Sequence, residues 1–514
     1  MGYFKTLSDA LLNRRTTRAA SSNHDGASGG RRLATFTGTT TGPNTLAISD
    51  GPMLVARATK LVMENPYAAN AVDAYVSNAI GKTGIVPQWQ HPKKAVRKKL
   101  TEAWRKSSPE VDADGRTDWA GIQSLIARMM MIQGESIVRF RPRLLSDNLT
   151  VPLQAQVIEG AQLPFFWQSG GNGNNLVRAG VEFDAIGRRV AYHLYKHHPG
   201  DALIYTDALD VARVPADQIL HMFRPTRAGL IRGITWFSSM IVDLYQLDSY
   251  DDAELERKRL STMFMGVVRE INPDQPLNNQ VDTAGTATAA PGTTYGSIQP
   301  GTLLKADAGE QIDWNEPPDV GTMYEAFFRV QLRKLALGFG LADFQFSGDP
   351  QGLNFSTART FLLEFRRRCE QFQFQVMAFQ FCQPFINRWL DAAALAGVID
   401  ASDYAKNKAD YRAIEWRTAA WKWVDPLKDI QAERESIRSG FKSRSQSVYE
   451  QGLDPETVEA EIAAENERAD AQGFIFDCDP RVTDLRGQAT NAQETGDDGG
   501  SDSNAKPKDA TSGN

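Results

Sequence analysis

Two helical segments separated by a long polar one, between Trp236 and Gly340, constrain the fold more than any other part of this chain. The first segment has apolar residues three and four positions apart, which predicts a single apolar stripe on a helix: Phe237, Met240, Ile241, Leu244 and Leu247. The last segment is helical again, with Tyr324, Phe327, Phe328, Gln331 and Leu335 on one face. Residues 272–301 between them are rich in Pro, Gly, Thr, Ala and Asn. Loops of that length are unusual inside a compact domain, so the pattern favours a small subdomain at the far end of two helices, with a disordered insertion as the alternative.

The length, net charge and cysteine content of the chain exclude several classes of protein. The 514 residues are enough for about two to four domains. Lys and Arg number 57 against 63 Asp and Glu, a net charge of −6, whereas a chain that wraps nucleic acid tightly is expected to be basic. Cys369, Cys382 and Cys478 are far apart and odd in number, which argues against a disulfide framework or a cysteine zinc site and fits a reducing compartment. No apolar run approaches the ~20 residues of a membrane span.

The first half of the chain reads as α+β. Residues 1–52 are predicted to be a flexible arm, because the Ser, Thr, Gly, Asn and Ala that dominate them from residue 16 cannot support a core. They are either disordered or lie along a partner, and residues 1–45 of the free protein are expected to be mobile or sensitive to proteases. Helices are predicted from about Met53, again up to Ile80, and over 93–106 and 118–133, with a short extended segment at 86–90. Residues 134–223 alternate in polarity between turn-forming segments, which indicates antiparallel strands.

The second half is predicted to be mainly helical. Residues 356–396 read as one long helix whose apolar stripe is Phe361, Phe365, Cys369, Phe372, Val376 and Phe379. Pro384 must kink or break that helix. Helical pieces cover 426–471, with Asp454 and Pro455 as the N-cap and first position of one of them. The polar, acidic tail from about Gly487 contains no aromatic residue and is expected to be disordered.

Motifs that could carry chemistry are better explained as turns. Gly81-Lys82-Thr83 resembles the end of a phosphate-binding loop, but position 76, where that motif needs Gly, is Val. Residues 112–118 lack the ligands of a calcium loop and fit a tight turn before a helix. His197-His198 beside Pro199-Gly200 fits a hairpin tip. No catalytic residue, metal ligand or cofactor is predicted, so the chain is not expected to be an enzyme.

The order of several segments resembles the portal proteins of tailed bacteriophages, specifically the lambda-like portal family. The matching segments of the first half are ENPYAANAVDAYVSNAIGKTGIVPQ, DADGRTDW, HMFRPTRAGLIRGITWF and LDSYDDAEL. Those of the second half are GDPQGLNFSTARTFLLEFRRR and WKWVDPLKDIQAERESIRSGFKSRSQSVYEQGLDPE. They run in order from about residue 53 to 475, and together they are highly specific.

This resemblance implies an α+β portal-type fold assembled as a ring. Its parts would be an α/β wing, a two-helix stem, a small α/β clip, a long kinked helix and a helical crown. The implied segments are an arm (1–52), a wing (53–235), stem helices (236–265 and 321–340) around a clip (266–320), a tunnel loop (341–355), a long kinked helix (356–398), C-terminal wing and crown helices (399–486) and an acidic tail (487–514).

The resemblance also implies partners and a location. A ring, usually of twelve copies, would occupy one capsid vertex, and double-stranded DNA would pass through it without sequence specificity during packaging and ejection. The clip would dock the terminase large subunit and later a head–tail adaptor, and the body would contact the major capsid protein and scaffold. The protein would lie in the host cytoplasm during assembly and in the virion afterwards, with no membrane partner.

Candidate site residues follow from the same resemblance. In the resembling portals the tunnel loop points into the channel, so four residues are expected to face DNA: Ser347, Asp349, Gln351 and Asn354. Gly348, Pro350 and Gly352 make this stretch turn-rich. The docking candidates in the clip are Asn272, Asp274, Gln299, Lys305 and Glu310. The Thr/Ala/Gly-rich run 282–296 departs from the compact clip of the family.

Two other classes stay open beside the portal interpretation. One is a nuclease or hydrolase of the packaging machinery, which would need clustered carboxylates to hold metal. The other is a capsid scaffold protein without a channel. The charge of the chain fits a portal, because a channel through which DNA slides should attract it weakly.

Overall fold

The computed structural model describes residues 35, 38–207, 209–263, 266–270, 310–314, 323–352, 354–421, 426–474, 476 and 481. The chain forms two compact units with the boundary between Ala419 and Ala420. The arm up to residue 34, most of the predicted clip and the acidic tail 487–514 lie outside the described residues. Helices and antiparallel strands both occur in the first unit, which confirms the expected α+β class.

The helices follow the order of the chain. They are α1 (Pro43–Glu64), α2 (Pro66–Ala79), α3 (Lys94–Ser107), α4 (Trp119–Gln133), α5 (Ile241–Met263), α6 (Met323–Phe339), α7 (Asp343–Ser347), α8 (Phe355–Phe372), α9 (Gln383–Leu395), α10 (Ala401–Lys406), α11 (Lys408–Arg412), α12 (Pro426–Arg438), α13 (Arg444–Glu450) and α14 (Pro455–Gln472). A π-helix (Gln373–Cys382) joins α8 to α9. The last three α-helices make up most of what is described of the second unit, and Asp454 caps α14 as predicted by accepting a hydrogen bond from the Thr457 N–H.

The strands are β1 (Val86–Trp89), β2 (Glu135–Pro142), β3 (Leu153–Glu159), β4 (Leu176–Arg178), β5 (Val181–Phe183), β6 (Arg189–Tyr195), β7 (Val211–Pro215), β8 (Ile219–Phe223), β9 (Gly266–Glu270), β10 (Glu310–Trp314) and β11 (Ile414–Arg417). Within the described residues they form four antiparallel sheets, in the orders β3–β2–β8, β4–β5–β6–β7, β1–β11 and β10–β9. The predicted strands of residues 134–223 are therefore confirmed as two sheets.

The first helix starts earlier than the sequence predicts. It begins at Pro43 and not near Met53, so residues 43–52 are not part of a flexible arm. The Asn44 side chain accepts a hydrogen bond from the Ile231 N–H at 2.8 Å and donates one to the Gly229 carbonyl at 2.9 Å. Ala47 is buried against Phe223 and Leu230. Composition could not predict this start, because contacts with the segment after β8 order it.

The long helix is interrupted before Pro384, and its buried face changes there. Since proline has no N–H, one i→i−4 hydrogen bond is missing. The turns before it are π-helical, and the Gln383 N–H reaches back five residues to the Ala378 carbonyl. This wider turn places Phe381 in the core and leaves Phe379 75% exposed. The predicted stripe is confirmed at Phe365, Cys369, Phe372 and Val376, and it is wrong at Phe379 and at the half-exposed Phe361.

Helices α3 and α4 share one aromatic core with the π-helix and α9. The Trp119 ring stacks on Phe381 at 5.0 Å between centroids and lies 5.2 Å from Phe385. Trp104 meets Trp119 and Trp389 edge to face, at 5.1 and 5.4 Å. Aromatic pairs at these distances add to the large apolar area that such rings bury. This packing joins helices from both halves of the sequence in the first unit.

Residues 399–419 also belong to the first unit, although the sequence interpretation grouped them with the C-terminal helices. Strand β11 pairs with β1, with Ile414 opposite Trp89 and Arg417 opposite Val86. A strand of this length, such as β11, is not stable unless it pairs with another strand. The predicted segment 399–486 is therefore divided at residue 419.

The turn interpretations of two motifs are confirmed. The buried Asp112 carboxylate accepts hydrogen bonds from the N–H groups of Asp114, Arg116 and Thr117 at 3.1, 2.8 and 3.0 Å, and the Asp118 side chain caps α4. Residues 81–83 form a turn directly after α2, with no strand before them. Neither segment has the geometry of the motif it resembles.

A buried ion pair holds the segment after β8 against the start of β2. The Glu135 carboxylate accepts hydrogen bonds from Arg232 Nε at 2.8 and 3.0 Å and another from Arg232 Nη2. It also accepts the Gly233 N–H at 2.9 Å and faces His221 Nε2 at 2.9 Å. Both charged side chains are about 1% exposed. Pairing and full hydrogen bonding are what make such burial tolerable.

Burial and these contacts shift the pKa values of Glu135 and His221. Burial alone would raise the pKa of Glu135, but Arg232 and His221 outweigh it and bring the pKa to about 2. Burial lowers the pKa of His221, which favours the neutral ring. Because the folded pKa of Glu135 is depressed, its stabilisation is fully present above the ordinary value of about 4.3 and is lost as the pH falls towards 2.

Candidate functional site

The two helices predicted around the polar segment are present and pack against each other. The Phe237 ring, just before α5, meets Phe339 at the end of α6, with 4.8 Å between ring centroids. Further along, Lys334 Nζ lies 2.8 Å from the Asp243 carboxylate, and the Tyr324 hydroxyl donates to Asp251. These contacts move forward along α5 as they move back along α6, so the helices form an antiparallel pair, which we call the stem.

The stem is anchored at one end and exposed along much of its length. The predicted stripe on the first helix is buried at every position: Phe237, Met240, Ile241, Leu244 and Leu247. On α6 the buried face is Leu332, Leu335, Ala336 and Phe339, whereas the predicted Phe327 is about half exposed and packs on Tyr250. The prediction for α6 is thus confirmed at Leu335 and wrong at Phe327.

Strands β9 and β10 lie at the far end of the stem. Strand β9 follows α5 and β10 precedes α6, and they pair from Gly266 opposite Trp314 to Glu270 opposite Glu310. Of the predicted docking residues, Glu310 begins β10, and four lie outside the described residues: Asn272, Asp274, Gln299 and Lys305. This antiparallel pair of strands therefore follows one stem helix and precedes the other along the chain.

The loop predicted to face DNA, residues 347–354, follows the stem and folds back on it. It starts later than the predicted tunnel loop 341–355, because residues 343–347 form helix α7. The Phe346 ring is buried, stacking on Phe339 and Tyr67. Asn70 on α2 donates to the carbonyls of Gln345 and Phe346 at 2.8 and 2.9 Å. The base of the loop is therefore fixed to the body of the first unit.

Two of the four predicted channel side chains meet on one arginine. Arg329 Nη2 lies 3.0 Å from the Asp349 carboxylate and donates to Gln351 Oε1 at 2.7 Å. The same nitrogen lies 3.0 Å from Glu325, one turn earlier on α6. The sequence interpretation missed Arg329, because the spacing of Glu325 and Arg329 indicates only a pair along one helix. Nothing local predicts that the loop returns to that face.

The other two predicted channel side chains have local structural roles. The Ser347 hydroxyl donates to the Asp343 carbonyl at 2.8 Å and accepts the Asp349 N–H at 3.2 Å. Asn354 is the N-cap of α8 and accepts the Thr357 N–H at 2.8 Å. Both side chains are thus occupied within the chain.

Replacing Asn354 by alanine is expected to lower the free energy of unfolding by about 1 kcal/mol, because the first turn of α8 loses its cap. Asn354→Asp keeps an acceptor at the same place and should stay close to the parent protein. Chemical denaturation of both variants under one condition measures the difference. Equal stability of the alanine variant and the parent protein would contradict a capping role.

Other kinds of site have no support in this part of the chain. In the described residues, no three His, Cys, Asp or Glu side chains stand close enough together to hold a metal ion. None of the described helices is both long enough and apolar enough to cross a membrane.

Solved structures of gene transfer agent (GTA) particles contain chains that are similar to this one. Among solved structures, the chain is similar to the neck of a native GTA particle, with a TM-score of 0.43 and 15% identity over 83% of this chain and 99% of that one. It is also similar to the virion of a native gene transfer agent particle, with a TM-score of 0.41 and 14% identity over 79% of this chain and 94% of that one.

Sequence comparison identifies the family. The chain is 25% identical over 431 residues to the probable portal protein of Halomonas phage phiHAP-1, covering 82% of this chain and 81% of that one. It is 21% identical over 456 residues to portal protein B of Escherichia phage lambda, covering 82% and 84%. The family model described as phage portal protein, lambda family, matches residues 29–373, well over half of the chain. Portal proteins are structural, so the prediction of a non-enzymatic protein is confirmed. The chain belongs to the lambda family of phage portal proteins.

Proposed function

We propose that copies of this protein close into a ring at one capsid vertex, with the stem helices around a channel for double-stranded DNA and residues 347–354 at its inner surface. The observation that carries the proposal is the position of this loop in a portal-family chain. It folds back on the stem, where Asp349 and Gln351 both contact Arg329. Membership of the family supports the ring, and twelve copies is the number usual in the portals it resembles.

Exposed apolar residues support contact between neighbouring copies. Phe379 on the π-helix is 75% exposed and Val330 on the stem is 58% exposed. Large apolar side chains in solvent mark surfaces that other molecules cover. A ring requires a heterologous contact, in which two different surfaces of one chain meet on neighbouring copies. We propose that these two residues lie in such contacts.

The charges near the loop fit passage without tight binding. Asp349 and Glu325 surround Arg329, so the loop offers DNA a largely neutralised surface. Unpaired cations along the channel would bind phosphates and slow the movement of DNA, in a salt-dependent way. We propose that DNA contacts here are brief and independent of sequence.

The far end of the stem is proposed as the docking segment. Residues 266–320 would contact the terminase large subunit during packaging and a head–tail adaptor afterwards. The pairing of β9 with β10 supports this proposal, because it presents residues 271–309 at the end of two helices. The major capsid protein and scaffold are proposed partners of the wing, in the host cytoplasm during assembly and in the virion afterwards.

Replacing residues 271–309 by a short Gly/Ser linker, with both strands kept, is expected to weaken binding of the terminase large subunit and the adaptor by about tenfold or more, since central contacts carry most interface energy. Binding to purified rings measures this. A deletion of the acidic tail 487–514 is the matched control, and a deletion of 282–296 alone tests the Thr/Ala/Gly-rich run. Unchanged affinity of both partners for rings with the linker would show that the docking segment lies elsewhere.

A further inference from the structure

We infer that Arg329 is a positioning residue of the channel loop: it holds the tip of the loop, residues 349–351, against the stem and releases it when phosphate occupies the guanidinium. The effect on DNA rests on the proposed function, whereas the contact itself belongs to the single chain. The loop contact, as we call it, consists of Arg329 with Asp349 and Gln351.

The base of the loop is fixed independently of Arg329. Phe346 is buried in the first unit, and Arg333, one turn further along α6, lies 2.9 Å from the Asp343 carboxylate at the start of α7. Two arginines on one face of α6 thus contact the segment that folds back on the stem, each at a different point. Arg333 holds the helix before the loop, and Arg329 holds the tip.

The tip has a hinge on each side. Gly348 and Gly352 have φ angles of +73° and +74°, where other residues are strained. A Cβ added at either glycine would meet no atom within 4 Å, so there is open space beside both. Within the tip, the Gln351 N–H donates to Asp349 Oδ1 at 2.9 Å, which keeps the two partners of Arg329 together. The tip can therefore turn as one piece once the Asp349 N–H leaves the Ser347 hydroxyl.

Arg329 is accessible to a competing anion. Its side chain is 32% exposed, and that of Asp349 is 35% exposed. A guanidinium binds carboxylate and phosphate with the same planar, two-pronged geometry. A phosphate of DNA at the inner surface of the ring can therefore replace Asp349 on Arg329. The freed tip would then hold the negative charge of Asp349 next to the DNA backbone. Repulsion between this carboxylate and the DNA phosphates favours separation of the loop from DNA once the bound phosphate has moved on.

Amide hydrogen exchange on full-length rings tests the loop contact without DNA. In Arg329→Gln, the N–H groups of Gly348, Asp349, Gln351 and Gly352 should exchange roughly two- to fivefold faster than in the parent protein, the range expected for losing a partly exposed charged contact. Arg333→Gln is the matched control, because its partner Asp343 lies before the loop, and it should leave this exchange unchanged. Arg329→Glu combined with Asp349→Arg restores the pair and should restore slow exchange.

A second measurement separates this inference from the proposed function. Unchanged exchange in Arg329→Gln would overturn the loop contact. Faster exchange with an unchanged packaging rate at low salt would keep the contact and overturn the channel position of the loop. If exchange is faster and the packaging rate is altered, and the charge-swapped pair reverses both changes, the loop contact and the channel position of the loop are both supported. Arg329→Lys keeps the positive charge but not the planar guanidinium, and the tip should then exchange at an intermediate rate. This variant preserves the test if the Gln variant forms no rings.

Discussion

Replacing Arg232 by methionine is expected to destabilise the first unit by about 3–5 kcal/mol, because it leaves the Glu135 carboxylate buried without its partner. The loss should exceed that of any exposed pair, since water cannot reach the abandoned charge. Arg232 also donates to the carbonyls of Ala179 and Gly160, at 3.1 and 3.2 Å, and both would lose a donor. Near-ultraviolet circular dichroism during chemical denaturation follows the unfolding of this unit.

The matched control is Arg188→Met, which removes a 76% exposed arginine from an ion pair with Asp184 and should cost less than about 1 kcal/mol. Combining Arg232→Met with Glu135→Gln removes the stranded charge and should recover part of the loss. All variants must be compared at one protein concentration, because assembly adds to apparent stability. If Arg232→Met were no less stable than Arg188→Met, the pair would contribute nothing to the fold.

Replacing both Asp349 and Gln351 by arginine is expected to slow DNA packaging about tenfold or more at about 50 mM salt, with a smaller deficit at about 200 mM. Each copy would change from one negative to two positive charges at the tip of the loop, and the change would be repeated around the ring. New cations at the inner surface would form phosphate contacts that must break at every step. Packaging rates measured with purified components over a salt series give the result.

The structure adds a necessary control to that experiment. Arginine at position 349 would face Arg329, so the double variant also breaks the loop contact. Asp349→Asn removes the partner of Arg329 without adding positive charge, and its packaging rate shows the effect of release alone. Packaging by the double arginine variant at the parental rate in low salt would mean that this loop does not line the channel.

Local periodicity predicted the parts of the fold that depend on local pattern. The stripe predicted for the first stem helix is buried at all five positions, and Ile241, Leu244 and Leu247 keep the helical phase within α5. The stripe of the long helix changes phase at the π-helix, so Phe379 is exposed and Phe381 is buried. A periodicity argument assumes a constant number of residues per turn, and the π-helical turns that precede Pro384 break that assumption.

Contacts between distant segments set the parts that sequence could not predict. The resemblance identified the segment HMFRPTRAGLIRGITWF, and the structure gives it a physical role: His221 and Arg232 both meet Glu135, 86 and 97 residues away. The candidate loop was placed correctly between two helices, but its return to Arg329 depends on how Phe346 packs. Asn354 differs from these cases, because its side chain caps α8 through a local contact with the N–H of Thr357.

Cryo-electron microscopy of the purified full-length protein shows directly whether copies form a ring around a channel. We expect closed rings with an open central channel, in which the stem surrounds the channel and residues 347–354 lie at its inner surface. Particles that remain monomeric, or rings in which this loop lies at the outer edge, would contradict it.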